Sequence, residues 1–236
     1  MSGSPKMNLA IVGYGKMGRL VEQLAPEYGF AVPLRLDIED NADGAGVTAE
    51  RFRGIDVAVE FSVPSAVVGN IERLAAIGVP VVVGTTGWTA DAARARAAVE
   101  KNGGGLVWSP NFSVGVNVFL HLVAEASRRL AAYPEYGAWA WEIHHNTKKD
   151  APSGTLLKMI EEMKLADPKR EISVSSNRAG AHPGTHEAGF DSAADTITLR
   201  HTARSREGFA RGALQAARWI VSKKGWFEFR DILFEK

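Results

Sequence analysis

Six residues, Gly13-Tyr14-Gly15-Lys16-Met17-Gly18, stand between an apolar run that ends at Val12 and a segment whose apolar residues Met17, Leu20, Val21 and Leu24 recur at helical spacing. A GxGxxG turn between a buried strand and a helix restricts the fold sharply. The first glycine permits a tight turn, the second lets backbone approach a pyrophosphate, and the third lets the helix sit against the strand. The helix N-terminus then faces the anion. The loop is therefore the candidate dinucleotide cradle, against the plainer reading of a glycine turn with no ligand.

The strand–helix alternation continues. A second strand, Ala31 to Leu36, ends at Asp37, about 20 residues past the glycine loop, where a carboxylate takes the ribose hydroxyls of adenosine. An acid there disfavours a 2′-phosphate, so NADH is the expected cofactor, with NADPH as the alternative; Arg35 complicates this choice or is simply an exposed strand residue. Asp56 to Phe61 predicts a third strand, followed by Ser62-Val-Pro-Ser65 as a capped start for a helix to Ile77. Val79 to Val83 predicts a strand ending in Gly84-Thr85-Thr86-Gly87, then a helix from about Thr89 to Lys101. Leu106 to Trp108 follows and ends in Ser109-Pro110-Asn111-Phe112. In an open parallel sheet ligands gather outside the carboxyl ends of the strands, so both turns are candidates for the cofactor side.

Ser113 to Leu130 predicts a helix linking two halves of the chain, with His121 a core or interface residue. Beyond it the pattern changes. Ile172 to Asn177, Gly184 to Phe190 and Thr196 to His201 alternate as antiparallel strands with one exposed face do. Ser205 to Val221 is again helical, with Phe209, Leu214, Ala217 and Ile220 inward. The expected fold class is α/β: a Rossmann-type dinucleotide-binding domain, residues 1–112 and 206–236, plus an α+β substrate and oligomerisation domain with a mixed or antiparallel sheet, residues 113–205.

The 236 residues, 45% of them hydrophobic, suffice for a proper core, and a net charge of +1 with scattered basic residues gives no reason to invoke nucleic acid or membrane. With no cysteine, disulfides, thiolate catalysis and cysteine-based metal sites are excluded. The longest early apolar run, Leu9 to Val12, is too short for a signal segment or a membrane span, so the cytoplasm is expected.

The chemistry falls on Glu142 to Thr155, EIHHNTKKDAPSGT. His144, His145, Lys148 and Lys149 cluster at the end of an apolar run, Ala138 to Ile143, that predicts a strand. Asp150 to Thr155 is turn material leading into a helix that Ser153 or Thr155 caps. Lys148 and the amides at that helix start suit a carboxylate, and a histidine near its pKa suits proton transfer. No metal is expected, because adjacent histidines on a strand point to opposite faces and no carboxylate or thiolate follows at ligand spacing. Arg178 reads as a loop residue that reaches a substrate carboxylate or solvates the surface. His182, His186 and His201 carry no catalytic assignment.

The same stretch resembles the signature of the dihydrodipicolinate reductase family, E-x-H-H-x-x-K-x-D-A-P-S-G-T, at every fixed position: Glu142, His144, His145, Lys148, Asp150, Ala151, Pro152, Ser153, Gly154 and Thr155. The glycine loop is one residue shorter than the family's frequent G-x-x-G-x-M-G. The resemblance implies a nicotinamide-dependent reductase of the diaminopimelate route to lysine acting on a cyclic dicarboxylate. It implies His144 as acid/base, Lys148 as proton donor, and His145 with Ser153, Gly154 and Thr155 as the carboxylate site. It further implies dinucleotide contacts at Gly84, Thr85 and Thr86 and at Ser109, Pro110, Asn111 and Phe112, and a homotetramer joined through the sheets of the second domain. Two other readings stand beside it: an aspartate-type amino-acid dehydrogenase, and a non-catalytic dinucleotide-binding sensor.

Overall fold

The computed structural model describes residues 7–234 and divides into two compact units, one running up to Ser113 and resuming at Glu207, the other spanning Val114–Arg206. Each boundary lies one residue later than the sequence suggested, because the helices that begin there start at Val114 and Glu207.

The first unit is built from β1 (Met7–Val12), α1 (Lys16–Leu24), β2 (Phe30–Leu36), β3 (Val57–Glu60), α2 (Pro64–Ala76), β4 (Val81–Val83), α3 (Ala92–Lys101) and β5 (Gly105–Trp108). All its strands pair in parallel. They read as continuous apolar runs because both faces of the sheet are covered. Leu9 and Ile11 point into one core, with Val57, Val59 and Val82, while Ala10 and Val12 point into the other, with Ala58, Val81 and Val83. The two-residue period of a strand thus serves two cores at once. The chain places β2 on one side of β1 and β3 on the other, giving the order β2-β1-β3-β4-β5 and a switch point between β1 and β3. That is where an open parallel sheet presents a ligand crevice.

The expected capped start of α2 is not found: Val63 occupies the cap position without a side-chain bond, Pro64 opens the helix, and the Ser62 hydroxyl donates instead to Glu60. Two elements near the C-terminus escaped the sequence reading. After α6 (Glu207–Ile220), which packs on the same face as α1, β10 (Gly225–Glu228) adds an edge strand beside β5, and α7 (Phe229–Phe234) brings Phe229 into the core. Within α6, Ala210, Ala213, Leu214, Ala217 and Ile220 are buried, whereas Phe209 is half-buried.

The second unit contains α4 (Val114–Leu130), β6 (Gly137–His144), α5 (Gly154–Ala166), β7 (Ile172–Arg178), β8 (Thr185–Asp191) and β9 (Thr196–Thr202), with strand order β7-β6-β8-β9. The last three strands do not form an all-antiparallel set, since β7 runs parallel to β6. The intervening α5 is the reason: a strand–helix–strand crossover returns the chain in the same direction. One sheet face packs Ala138, Ala140, Ala188 and Phe190 against Phe119, Val123, Leu156 and Met159 of the two helices. The other face carries Trp139 and Trp141, which with Ser173, Ser175, Glu187 and Arg200 edge a depression of about 520 Å³. No helix among the described residues is long and apolar enough to cross a membrane.

Candidate active site

In the second unit, strand register assembles the chemistry. Glu142 and His144, two apart on β6, share the face that turns toward the helices. Glu142 pairs with Ser176 on β7 and with His186 on β8, and His144 pairs with Arg178. The buried Glu142 carboxylate becomes the hub of these neighbours. Its Oε1 accepts from Ser176 Oγ at 2.6 Å, from the Ser153 amide at 2.9 Å and from Arg178 Nη2 at 3.1 Å. Its Oε2 accepts from the Ser153 hydroxyl and lies 3.2 Å from His186 Nε2 and 3.4 Å from His144 Nδ1. The two imidazoles meet edge to face, their centroids 5.0 Å apart.

Electrostatics follows from this packing. Burial by itself would raise the Glu142 carboxyl, but the hydrogen bonds from Ser153, Ser176 and Arg178 prevail and hold it at about 2. It is an anion throughout the physiological range. Burial depresses His186 to about 4, helped by His144 and opposed by Glu142, so His186 is neutral. His144 is lowered first by burial and then by the Lys148 and Arg178 cations, with the Glu142 charge pulling the other way.

Around this hub lie the remaining residues. Ser153 is the N-cap of α5: its hydroxyl accepts from the Leu156 amide at 3.2 Å while donating to Glu142. Thr155 is not the cap. This arrangement satisfies the third amide of the helix and leaves the first two, on Gly154 and Thr155, for an outside acceptor. Gly154 is exposed and Thr155 half-buried. Lys148, its side chain 24% exposed, reaches Asp150 at 2.8 Å. His145, beyond the strand, bonds Thr147 at 2.7 Å and stands apart from the hub. Arg178 is the last residue of β7 rather than a loop residue, and besides Glu142 it holds the Asp150 carbonyl.

Glu142, His144 and His186 place one donor atom each within 4.8 Å of one another, close enough for a transition-metal ion. The sequence argument against metal looked downstream of the histidines and overlooked the carboxylate two residues before His144 and the histidine across the sheet. Even so, the hydrogen-bonded reading is stronger: Glu142 already accepts four hydrogen bonds, one from a guanidinium that would repel a cation. His186 and Ser176 were the residues sequence reasoning passed over. Their signal was the strand alternation, but register is not written in it.

The first unit carries the candidate dinucleotide cradle. Gly13 has φ +94°, and a Cβ there would lie 2.4 Å from the Phe61 backbone, so the turn after β1 sits directly on the turn after β3. A Cβ on Gly18 would meet the Gly13 carbonyl at 2.4 Å. Gly15 differs: nothing lies within 4 Å of its Cβ position, and as the N-cap of α1 it supplies no side-chain bond. Open space over an uncapped helix start fits a dinucleotide pyrophosphate. Lys16 opens the helix exposed, Tyr14 and Met17 are half-buried, and Asp37, the residue after β2, accepts from the Ile38 amide with its Oδ1.

At the next turns, Gly84 is required by the Phe61 ring, and the Trp88 indole, buried against Trp108 and Trp226, donates to the Thr85 carbonyl at 2.8 Å. Thr86 and Pro110 are exposed, while Ser109 hydrogen-bonds the Asn111 backbone on both sides. The buried Phe112 packs its ring on Phe229 and its carbonyl against Gly212 of α6, so it serves the core rather than an outward contact.

Taken with a sheet of this topology, these features define a class of protein: an oxidoreductase that draws hydride from a nicotinamide dinucleotide. Comparison with known proteins narrows the class. The model for the N-terminus of dihydrodipicolinate reductase matches residues 7–112 and that for its C-terminus residues 115–233, and the chain belongs to the dihydrodipicolinate reductase family, NAD(P)H-dependent enzymes that reduce 4-hydroxy-tetrahydrodipicolinate.

Among curated relatives, 4-hydroxy-tetrahydrodipicolinate reductase of Christiangramia forsetii is 36% identical over 239 residues, spanning 96% of this chain and 98% of its own. The enzyme of the same name from Archaeoglobus fulgidus is 35% identical, spanning 96% and 100%. A dipicolinate-bound dihydrodipicolinate reductase from Paenisporosarcina sp. TG-14 shares the fold with a TM-score of 0.76 at 20% identity, over 96% of this chain and 99% of that one. Aspartate dehydrogenase from Thermotoga maritima shares it more distantly, with a TM-score of 0.51 at 14% identity, over 92% and 97%.

Proposed function

We propose that His144 is the acid/base of this reductase and that Lys148, His145 and the amides of Gly154 and Thr155 hold the two carboxylates of its substrate, while Ser153, expected from the sequence to join them, commits its amide and hydroxyl to Glu142 and sets the start of α5. The observation that carries this reading is the buried Glu142 anion, which sits beside His144 Nδ1 and opposes the lowering of the ring's pKa. The nicotinamide supplies the hydride when bound; every other contribution comes from the chain. Lys148 and the α5 amides neutralise carboxylates, and His144 delivers the proton to the reduced carbon skeleton. A bound dicarboxylate also offsets the Lys148 and Arg178 charges that depress His144, so substrate binding favours the imidazolium that the reaction needs. Dipicolinate, the ligand of the Paenisporosarcina enzyme, is a fitting non-reactive occupant.

For the cofactor, the reading is a cradle of Gly13, Tyr14, Gly15, Lys16, Met17 and Gly18, with Gly84, Thr85, Thr86 and the Ser109, Pro110, Asn111 and Phe112 turn on the nicotinamide side. Asp37 receives the adenosine ribose, which makes NADH the preferred donor over NADPH. The open sheet face that carries the half-buried Trp139 and Trp141 supports a homotetramer. The cytoplasm is the compartment that goes with this reading.

The test is NADH oxidation with substrate generated in place by the preceding synthase from pyruvate and aspartate semialdehyde. Rapid oxidation by the wild type and its loss in Lys148→Ala support reaction and site together. Full activity in Lys148→Ala removes Lys148 from the site. Folded protein that oxidises neither NADH nor NADPH, but does so with oxaloacetate and ammonia, turns the assignment to an amino-acid dehydrogenase.

A further inference from the structure

The strand that Asp37 follows, β2, carries Arg35 two residues before that acid, and the arginine is engaged. Glu22, on α1, accepts from Arg35 Nε at 2.7 Å and from Arg35 Nη2 with its Oε1, and takes the Tyr14 hydroxyl with its Oε2. One carboxylate therefore ties together β2, α1 and the glycine loop. The Arg19 guanidinium covers the opposite part of the assembly, 4.8 Å from the Tyr14 ring centroid. Lys16, Arg19 and Arg35 are all exposed near the rim of the cradle. Three cations would suit a phosphate dianion on the adenosine ribose. Glu22 and Asp37 are the two acids set against them.

We propose that Glu22 is a cofactor-specificity residue: by holding Arg35 it withholds that guanidinium from the 2′-phosphate of NADPH, and with Asp37 it fixes the preference for NADH. The proposal rests on the reading that Asp37 receives the adenosine ribose. Its physical basis is competition for one donor set. A guanidinium whose Nε and Nη2 already serve a carboxylate presents fewer donors to a phosphate, and the carboxylate itself repels that phosphate. The Arg35 side chain is 40% exposed and that of Glu22 26%, so the pair is a surface bond of modest strength that a single substitution releases.

The experiment uses the full chain and two readouts: calorimetric affinity for adenosine 2′,5′-bisphosphate and for NADH, and kcat/KM with each dinucleotide. Glu22→Gln should bind the bisphosphate about tenfold more tightly and raise kcat/KM with NADPH by a similar factor, on the order of one charge-assisted hydrogen bond. NADH affinity should stay within about twofold of wild type. Adding Arg35→Ala to Glu22→Gln should cancel the gain. Unchanged bisphosphate affinity in Glu22→Gln, or a gain that survives Arg35→Ala, overturns the proposal. Asp37→Ala separates the two levels: if it weakens NADH while Glu22→Gln does nothing, the Glu22 role alone falls. If it alters neither dinucleotide, the ribose assignment falls and takes the proposal with it.

Discussion

His144 Nδ1 lies 3.4 Å from Glu142 Oε2, buried and without a hydrogen bond among the described residues. The other edge of the ring faces Gly184, where a Cβ would come within 3.0 Å of Cδ2 and Nε2. The carboxylate thus marks Nδ1 as the inward nitrogen. Replacing Glu142 by Gln removes the charge that opposes the lowering of His144. The His144 pKa should fall further, and the pH profile of kcat should move toward acid, with kcat at neutral pH reduced about tenfold or more. A profile with unchanged shape and position rejects the role.

The free protein holds His144 below its ordinary value, and a dicarboxylate seated beside Lys148 and Arg178 would oppose the part of that shift that their charges cause. Binding of a non-reducible dicarboxylate near neutral pH should therefore take up protons. Calorimetry in buffers of different ionisation enthalpy measures the uptake. It should vanish in His144→Gln, whose turnover should drop roughly a hundredfold or more while dicarboxylate affinity changes little.

Acid should destabilise the protein in two stages. His186, lowered from 6.5 to about 4, is neutral when folded but protonates when unfolded, so stability is lost as pH falls from about 6.5 toward 4. Glu142, lowered from 4.5 to about 2, is worth stability above its unfolded pKa, and that share is lost as pH falls from about 4.5 toward 2. The second stage amounts to roughly 3 kcal/mol. Denaturant titrations across this range should show a shallower slope below pH 4.5 in Glu142→Gln, and above it in His186→Gln.

The glycines of the cradle should separate binding from folding. Gly15→Ala adds a methyl into open space at φ −78°, leaving Tm nearly unchanged while raising KM for NADH about tenfold or more through lost backbone approach. Gly18→Ala drives a methyl into the Gly13 carbonyl and should cost about 1–3 kcal/mol of stability. Equal thermal loss in both variants contradicts the distinction.

If the open sheet face is the tetramer contact, Trp141→Lys should dissociate the assembly, as light scattering after gel filtration would register. Trp141 lies on the open face of the sheet and outside the core packed by α4 and α5, so the fold of each chain should persist. A tetramer that survives the substitution places the contact elsewhere.

The glycine loop, the buried strands around it, Asp37, and the Glu142 to Thr155 signature could all be read from the sequence because each depends on neighbours in the chain. Turn conformation, strand period and helix capping are local, and local patterns survive in one dimension. Arg178 and His186 could not be placed that way. Arg178 read as loop because β7 extends one residue further than its apolar pattern, and His186 carried no role because its partner lies 44 positions earlier, opposite it in the register of β6 and β8. The parallel course of β7 and the edge strand β10 were hidden for the same reason. Strand pairing is decided by which faces can be buried together, and that follows only from the folded packing of α4 and α5 on the second sheet and of α6 and α7 on the first. The sequence alone determined a dinucleotide fold and the family signature from Glu142 to Thr155. The tertiary structure decided that a buried, permanently charged glutamate would govern one of the two adjacent histidines and leave the other outside the hub.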